Sequence, residues 1–233
     1  MRHYAILKYI FFIFLSTTYL ASSTAMAGGI TLGGTRIIYP ADAKQINMAV
    51  RNTSDQSSFL VQSWVESVDG KKTEDFIVTP PLYVSGPGHD NTLRLMYVGQ
   101  PVMKDRESLY YFNSKAIPSL DKKETEGKNV LMLAAVTRVK LFVRPDGLTP
   151  SVEKAPAELS FHYGSGQVKI VNPTPYYITL AQIKVGGHKL PDTMVSPKGS
   201  VSLSQLAAVG DVITFRTIND FGAVTPEQMK KLK

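Results

Sequence analysis

Histidines, serines and carboxylates are the side chains of this sequence that could carry acid–base or nucleophilic chemistry. His89, His162 and His188 stand far apart, without the close spacing of metal ligands on one element. The nucleophile pattern G-x-S-x-G and the zinc pattern H-E-x-x-H are both absent from the sequence. Gly164-Ser165-Gly166 and Gly186-Gly187 fit hairpin turns better than phosphate-binding loops, because neither leads into a helix. The sequence therefore predicts no catalytic residue, no cofactor and no enzyme activity.

Cysteine is absent from the 233 residues. This excludes disulfides, zinc–thiolate sites and cysteine nucleophiles, and we predict no metal site. Lysine and arginine number 26 and aspartate and glutamate 19, so the formal net charge is +7. The basic residues are spread along the chain, apart from the tail Lys230-Lys231-Leu232-Lys233. The charge therefore predicts no nucleic-acid-binding stripe, although it is compatible with an acidic partner.

The first 27 residues have the pattern of a secretory signal peptide. Arg2 and Lys8 give a positive start, an apolar stretch covers residues 10–20, and Ala25-Met26-Ala27 matches the A-x-A cleavage pattern. The apolar stretch is short for a permanent membrane anchor, which needs about 20 residues. We therefore expect export and cleavage before Gly28, with an uncleaved anchor as the alternative. Residues 28–233 would remain, enough for two domains of about 100 residues each.

The rest of the chain has the pattern of one β-strand after another. The apolar residues Ile46, Met48 and Val50 alternate with positions that include the polar Gln45, Asn47 and Arg51, the period of two that a half-buried strand requires. Similar runs recur as far as residue 218, separated by turn-forming sequences such as Gly86-Pro87-Gly88. Trp64 lies in one of the early runs and fits the core of a sandwich. The tail, residues 228–233, is too short to form a stable helix.

A run rich in proline and glycine, from Arg144 to Pro150, divides the strands into two sets. Each set has roughly seven or more short strands with turn signals at near-regular spacing, which is the pattern of an immunoglobulin-like sandwich. We therefore predict an all-β protein with a signal peptide at residues 1–27, a first immunoglobulin-like domain at 28–146 and a second at 147–233.

One predicted strand, Val130–Val136, does not alternate. Its even-numbered residues and its odd-numbered ones, Leu131, Leu133 and Ala135, are all apolar. The core of a sandwich covers only one face of a strand, so the other face needs a further partner. Two explanations remain open at this point. The second domain or a loop covers that face, or the strand is an exposed edge kept apolar for pairing with another chain.

Several short runs, spread over nearly the whole of residues 28–233, resemble a known family: the periplasmic chaperones of the chaperone–usher pilus pathway. The run beginning at Asp105 is the most specific of them. The runs occur in the order of the family and are Thr35-Arg36, Thr79-Pro80-Pro81, Asp105-Arg106-Glu107-Ser108-Leu109-Tyr110-Tyr111-Phe112-Asn113, Ile117-Pro118, Asn129-Val130-Leu131, Lys140-Leu141-Phe142-Val143-Arg144-Pro145, Asn172-Pro173-Thr174-Pro175-Tyr176-Tyr177 and Asn219-Asp220-Phe221-Gly222.

The resemblance implies a periplasmic protein that binds, folds and caps pilus (fimbrial) subunits and delivers them to the outer-membrane usher. It also implies two sandwiches arranged as an L with a cleft between them. Pilus subunits of this pathway are incomplete sandwiches, and the chaperone lends the missing strand, which is called donor-strand complementation. By the match, Leu131, Leu133 and Ala135 are the donated side chains. Ala135 is smaller than the residue often found there, which would weaken one contact or select a particular subunit.

The resemblance also implies roles for charged residues. Arg36 and Lys140 match two cleft cations that hold the terminal carboxylate of the subunit through charge-assisted hydrogen bonds. Glu107, Arg144 and Asp220 match a charge network between the domains, which sets the angle between them. For each residue taken alone, an ordinary solvated surface charge is the alternative.

The connection between Ile117 and Asn129 is short and charged, which, with the absence of cysteine, is similar to the short-loop branch of the family. The predicted partners are pilus subunits and the usher, with no nucleic acid and no small-molecule substrate. Self-association of the free protein is left open. The alternative function is structural, as a pilus subunit or a sugar-binding adhesin module. A subunit would be a single incomplete domain, whereas two full sandwiches are predicted here.

Overall fold

The computed structural model describes residues 28–119, 127, 129 and 131–233. The predicted signal peptide, residues 1–27, and most of the connection between Ile117 and Asn129 lie outside the described residues. β-Strands dominate the fold, and the prediction of an all-β protein with two sandwiches is confirmed. Among the described residues, no helix has the length and apolar character needed to cross a membrane.

The first sandwich consists of a four-stranded sheet, in the order β1-β3-β7-β5, facing a five-stranded sheet, in the order β2-β9-β8-β4-β6. Its strands are β1 (Ile30–Leu32), β2 (Arg36–Pro40), β3 (Ile46–Asn52), β4 (Phe59–Glu66), β5 (Phe76–Thr79), β6 (Leu82–Ser85), β7 (Asp90–Tyr97), β8 (Ser108–Pro118) and β9 (Ala135–Arg144). Neighbouring strands are antiparallel except for β2, which pairs in parallel with β9.

The alternation of the sequence decides which side chains fill the core between these sheets. In β3 the buried residues are Met48, Val50 and Asn52, while the residues between them face solvent. In β4 the buried residues are Val61, Ser63 and Val65. Trp64 therefore lies on the opposite face, and the expectation that it fills the core is wrong. Its indole Nε1 donates a hydrogen bond of 2.8 Å to Glu66 Oε1 on the same outer face.

The second sandwich packs a three-stranded sheet, β10-β11-β15, against a larger sheet in the order β13-β12-β16-β17, in which β14 also pairs with β12. A single turn of 3-10 helix, Ala155–Glu158, precedes it. The strands are β10 (Ser160–Gly164), β11 (Gln167–Asn172), β12 (Ile178–Val185), β13 (His188–Lys189), β14 (Thr193–Val195), β15 (Gly199–Ser204), β16 (Val212–Thr217) and β17 (Gln228–Lys231). Phe161, Ile170, Leu180 and Phe215 are among its fully buried side chains.

The sequence did not predict the last strand, β17. It pairs with β16 and ends at Lys231, and the next residue, Leu232, is only 2% exposed. The terminal residue Lys233 then exchanges backbone hydrogen bonds with Phe161 and Tyr163. The tail is held by these long-range pairings, which its short polar sequence does not show.

Both sandwiches use a fully buried asparagine at the end of an inner strand. The Asn52 side-chain nitrogen donates to three backbone carbonyls, those of Ser57, Ser85 and Gly86, and its oxygen accepts from the Ser54 backbone N–H. Asn172 repeats the arrangement in the second sandwich, where its amide also serves three carbonyls and one backbone N–H. Each asparagine thereby links the backbone of neighbouring loops and strand ends.

We expect an Asn52→Ala variant to lose about 3 kcal/mol of unfolding free energy, because buried carbonyls left without donors retain their full desolvation cost. Urea unfolding would measure the change. Asn47→Ala is the matched control, since Asn47 lies on the same strand with its side chain in solvent, and we expect a change within about 0.5 kcal/mol. Equal losses in the two variants would contradict a supporting role for the buried amide.

Candidate functional site

Strand β9 has one edge that is only half paired. Along the side facing β8, residues Ala135–Val143 are all in register with a partner. Along the other side, β2 pairs only with Lys140–Arg144, because β2 begins at Arg36, opposite Lys140. In the part of the chain that the structure describes, residues Ala135–Val139 therefore present an unpaired row of backbone N–H and C=O groups. Such a row is a template for the addition of another strand.

The segment before β9 carries the apolar residues that broke the alternation. Leu131 is 83% exposed and Leu133 is 72% exposed, and Ala135 is exposed as well. The prediction of a strand over Val130–Val136 is wrong for residues 131–134, since β9 begins only at Ala135, while Val130 lies outside the described residues. The expectation that the core of the domain buries one face is also wrong, because Leu131, Met132 and Leu133 all face solvent. No described part of the chain covers them, so the second sandwich does not supply the cover for this face.

Two half-buried cations stand where the unpaired edge of β9 ends. Arg36 and Lys140 are direct neighbours in the parallel pair of β2 and β9. Neither of them forms an ion pair with any carboxylate among the described residues. Arg36 Nε is buried without a hydrogen-bond partner in that same set. The structure thus brings together the two residues that the sequence predicted as a pair.

Burial and mutual repulsion raise the free energy of the charged forms of Arg36 and Lys140. Burial lowers the pKa of the Arg36 guanidinium, although the nearby carboxylate of Asp220 offsets part of this. Burial also lowers the pKa of Lys140, and the charge of Arg36 lowers it further. An anion placed between them would relieve both effects, because opposite charge favours the protonated form of each. The pair therefore has the electrostatics of an anion-binding site.

The second sandwich contacts both cations. Arg36 Nη1 donates a hydrogen bond of 3.0 Å to the backbone carbonyl of Ile218, and Lys140 Nζ donates one of 3.3 Å to Thr179 Oγ1. The guanidinium carbon of Arg36 lies 6.0 Å from the centroid of the Phe142 ring, and that ring packs against Tyr177 with centroids 5.7 Å apart. The site is consequently built from both sandwiches.

The predicted charge network is assembled in full. Arg144 binds Asp220 with two hydrogen bonds, of 2.6 and 2.8 Å, and donates from Nε to Glu107 Oε1 at 2.7 Å. Glu107 is 3% exposed, and its second oxygen accepts from the Tyr177 backbone N–H at 2.8 Å. The planar guanidinium thereby joins a carboxylate of each sandwich.

Burial raises the pKa of Glu107, and the charge of Arg144 together with the Tyr177 N–H opposes that rise. Burial alone would lower the pKa of Arg144, but the hydrogen bonds and charges of Asp220 and Glu107 outweigh it and raise the pKa. The arginine is therefore the group that keeps a deeply buried carboxylate compensated. Removing it would leave an isolated charge in the interior.

A cleft of about 320 Å³ lies between the sandwiches beside this network, and Arg36, Phe142, Tyr177 and Phe221 help to line it. Gly222 follows Phe221 at a φ of +81°, and a Cβ there would lie 2.0 Å from Thr35 Oγ1. The loop of the second sandwich thus approaches β2 as closely as glycine permits, directly before Arg36.

Some contacts of this region were missed from the sequence. Lys198 Nζ binds Asp105 Oδ2 at 2.6 Å, which adds an exposed ion pair between the sandwiches. Thr179 and the Ile218 carbonyl were not predicted either, because an isolated threonine or a backbone oxygen has no recognisable sequence pattern.

Among the other side chains that could carry chemistry, Ser160 Oγ lies 3.1 Å from His162 Nε2, but no carboxylate orients the ring in the described structure. No group of three or more metal-ligating side chains occurs within the described ranges.

Comparison with known proteins gives the family. Residues 29–149 match the model described as "Pili and flagellar-assembly chaperone, PapD N-terminal domain", and residues 154–229 match "Pili assembly chaperone PapD, C-terminal domain". The probable fimbrial chaperone SfmC of Escherichia coli K12 is 45% identical over 207 residues, which are 89% of this chain and 90% of SfmC.

Solved structures agree with these matches. The periplasmic chaperone SfaE superposes with a TM-score of 0.76 at 42% identity, covering 86% of this chain and 98% of SfaE. The SafB chaperone, solved in complex with the Salmonella enterica SafA pilin, gives a TM-score of 0.79 at 29% identity and covers 90% of this chain and 99% of its own. Two matched domains in sequence order, with relatives aligned over nearly their whole length, show that this chain belongs to the PapD family of pilus-assembly chaperones.

Proposed function

We propose that this protein binds, folds and caps pilus subunits by donating the free edge of β9, and then delivers them to the outer-membrane usher. The observation that carries the proposal is the unpaired edge Ala135–Val139, which ends at the two cations Arg36 and Lys140. Such a bound subunit is the client of the chaperone. SafB, a relative solved with a pilin, supports a subunit as the class of client.

The geometry of β2 determines how a client strand would lie. A strand added to the free edge occupies the same side of β9 as β2 and must stop where β2 begins, at Arg36. If the added strand runs parallel to β9, its carboxyl end arrives at Arg36 and Lys140. Two cations without a carboxylate partner among the described residues then receive the client's terminal carboxylate, with charge-assisted hydrogen bonds. The edge and the anion site together therefore favour a parallel client strand that ends in the cleft.

Leu131, Leu133 and Ala135 are the side chains that we propose are donated. They share the parity of Val139 and Leu141, which fill the core of this sandwich, so they extend the same face past the end of the core. A client that lacks one strand of its own sandwich offers a groove for such a face. Burying one leucine contributes about 1.5–3 kcal/mol, so the two leucines supply a substantial part of the affinity.

The remaining parts of the proposal follow from the family. We propose that residues 1–27 are a cleaved signal peptide, that the protein works in the periplasm, and that the domains divide between residues 146 and 147. No catalytic role is assigned, since the family consists of chaperones and the Ser160–His162 contact has no orienting carboxylate within the described structure. The interdomain network of Glu107, Arg144 and Asp220 holds the two sandwiches at a fixed angle, which keeps the cleft formed.

A Leu133→Ala variant is expected to bind a pilus subunit about tenfold or more weakly, because it removes apolar area from the donated face. Affinity would be measured by titrating the purified protein with a purified pilus subunit, chosen as one that it keeps soluble when the two are co-expressed. Met132→Ala is the matched control, since Met132 is its exposed neighbour on the opposite parity, and its affinity should change less than about threefold. If the two substitutions weaken binding equally, the assignment of the donated face is wrong.

A further inference from the structure

Thr179 connects the second sandwich to the cation pair. It lies in β12 and is 8% exposed, and its hydroxyl oxygen accepts the hydrogen bond from Lys140 Nζ at 3.3 Å. Its backbone carbonyl accepts from the Ile218 N–H at 3.1 Å, and the Ile218 carbonyl in turn accepts from Arg36. Thr179 and Ile218 are thus tied to each other, and each holds one of the two cations.

Within the described part of the chain, no acceptor takes up the hydrogen of the Thr179 hydroxyl. A threonine hydroxyl is one donor and two acceptors, and the contact with Lys140 uses one acceptor position only. No described residue accepts a hydrogen bond from Thr179 Oγ1. A nearly buried donor without an acceptor carries a free-energy cost, and it lies within hydrogen-bond distance of the lysine at the anion site. The missing acceptor is therefore expected to be the anion that Lys140 binds.

We propose that Thr179 Oγ1 donates a hydrogen bond to the terminal carboxylate of the client, as a third ligand beside Arg36 and Lys140. This inference rests on the proposed function and adds a residue of the second sandwich to the binding site. The hydroxyl accepts from Lys140 and donates to the carboxylate, so it is polarised by the cation while it binds the anion.

The proposal also gives the second sandwich a part in client binding. Arg36 and Lys140 come from strands of the first sandwich, whereas Thr179 comes from β12. A carboxylate held by all three is bound across the cleft. Client binding and the relative position of the two sandwiches are therefore coupled through one hydrogen bond.

The test compares two peptides and two substitutions. The probe is a synthetic peptide with the sequence of the C-terminal strand of a pilus subunit, made as the free acid and as the C-terminal amide. Thr179→Val removes the hydroxyl with little change of shape, and Thr179→Ser keeps it. We expect Thr179→Val to bind the free acid about ten- to a hundredfold more weakly and the amide unchanged, while Thr179→Ser stays within about threefold of the unmutated protein.

A second background separates direct donation from mere positioning of Lys140. In a Lys140→Ala protein, Thr179→Val should still weaken binding of the free acid by about tenfold. No further loss in that background would mean that Thr179 acts only through Lys140, and would overturn the proposal. Equal binding of the free acid by Thr179→Val and the unmutated protein would overturn it as well. If the unmutated protein itself does not distinguish free acid from amide, the carboxylate site of the proposed function fails along with it.

Discussion

A Lys140→Ala variant is expected to leave pilus subunits largely unrecovered from the periplasm while remaining as stable as the unmutated protein. Truncating one partner of a buried, hydrogen-bonded charge pair costs about 2–5 kcal/mol of binding free energy, which is a loss of about thirtyfold or more. In the free protein the same lysine is half-buried beside Arg36 without a carboxylate partner in the described structure. Removing Lys140 therefore relieves its repulsion with Arg36 in the free protein. The substitution is expected to weaken client binding without lowering the stability of the chaperone.

The measurement is the amount of soluble subunit recovered when each protein is co-expressed with it, together with the urea unfolding of the purified chaperone. Lys169→Ala is the matched control, because Lys169 is an exposed lysine on β11 and belongs to no ion pair of the described chain. Recovery with the control should equal that with the unmutated protein. Equal recovery with Lys140→Ala would refute the cleft assignment, although the chaperone role would stand. A failure of the unmutated protein with every subunit tried would mean that none of these subunits is its client.

The second large effect concerns stability. An Arg144→Ala variant is expected to lose about 3–5 kcal/mol of unfolding free energy, because it leaves Glu107 as an uncompensated charge in the interior. Arg144→Lys should recover only part of this loss, since a lysine cannot serve Asp220 with two parallel hydrogen bonds and reach Glu107 as well. Urea unfolding of the purified variants would give both values.

Arg51→Ala is the control for the loss of an arginine, because Arg51 pairs with Asp90 and both side chains of that ion pair are exposed to solvent. We expect a change below about 1 kcal/mol for it. The double variant Arg144→Met with Glu107→Gln should be more stable than Arg144→Ala alone, because it removes the stranded carboxylate together with its partner. A small loss for Arg144→Ala, comparable to that for Arg51→Ala, would mean that Glu107 is not held as a buried ion.

Much of the fold was predictable because strands with one buried face alternate with a period of two. Ile46, Met48 and Val50 are an example, and they lie on one face of β3 as expected. The same reasoning failed at Trp64, where size and apolar character favoured the core but the parity of Val61 and Val65 had already assigned that face. It failed again in the tail, because β17 depends on β16 and on hydrogen bonds to Phe161 rather than on its own composition.

The site was less accessible to sequence reasoning than the fold. The apolar run before β9 revealed a surface that needs a partner, but the sequence did not show that neither of its faces is buried. Arg36 and Lys140 are more than 100 positions apart, and only the resemblance joined them; the parallel pairing of β2 with β9 supplies the physical reason. Thr179 and the Ile218 carbonyl had no signal at all, because their role arises from the contact between the two sandwiches.

Because β2 begins at Arg36, the proposed anchor in the cleft would fix the position at which a client strand ends. A client strand whose carboxylate is fixed at Arg36 has its phase fixed as well, since successive side chains of a strand point to opposite faces. Each residue then lies a set number of steps from the anchor, and a shift of one step would turn its groove-lining side chains outward. Leu131 and Leu133 would meet the wrong face of such a client. Under the proposed function, the position at which a client chain ends therefore contributes to selection, and the apolar contacts alone would not supply that selection.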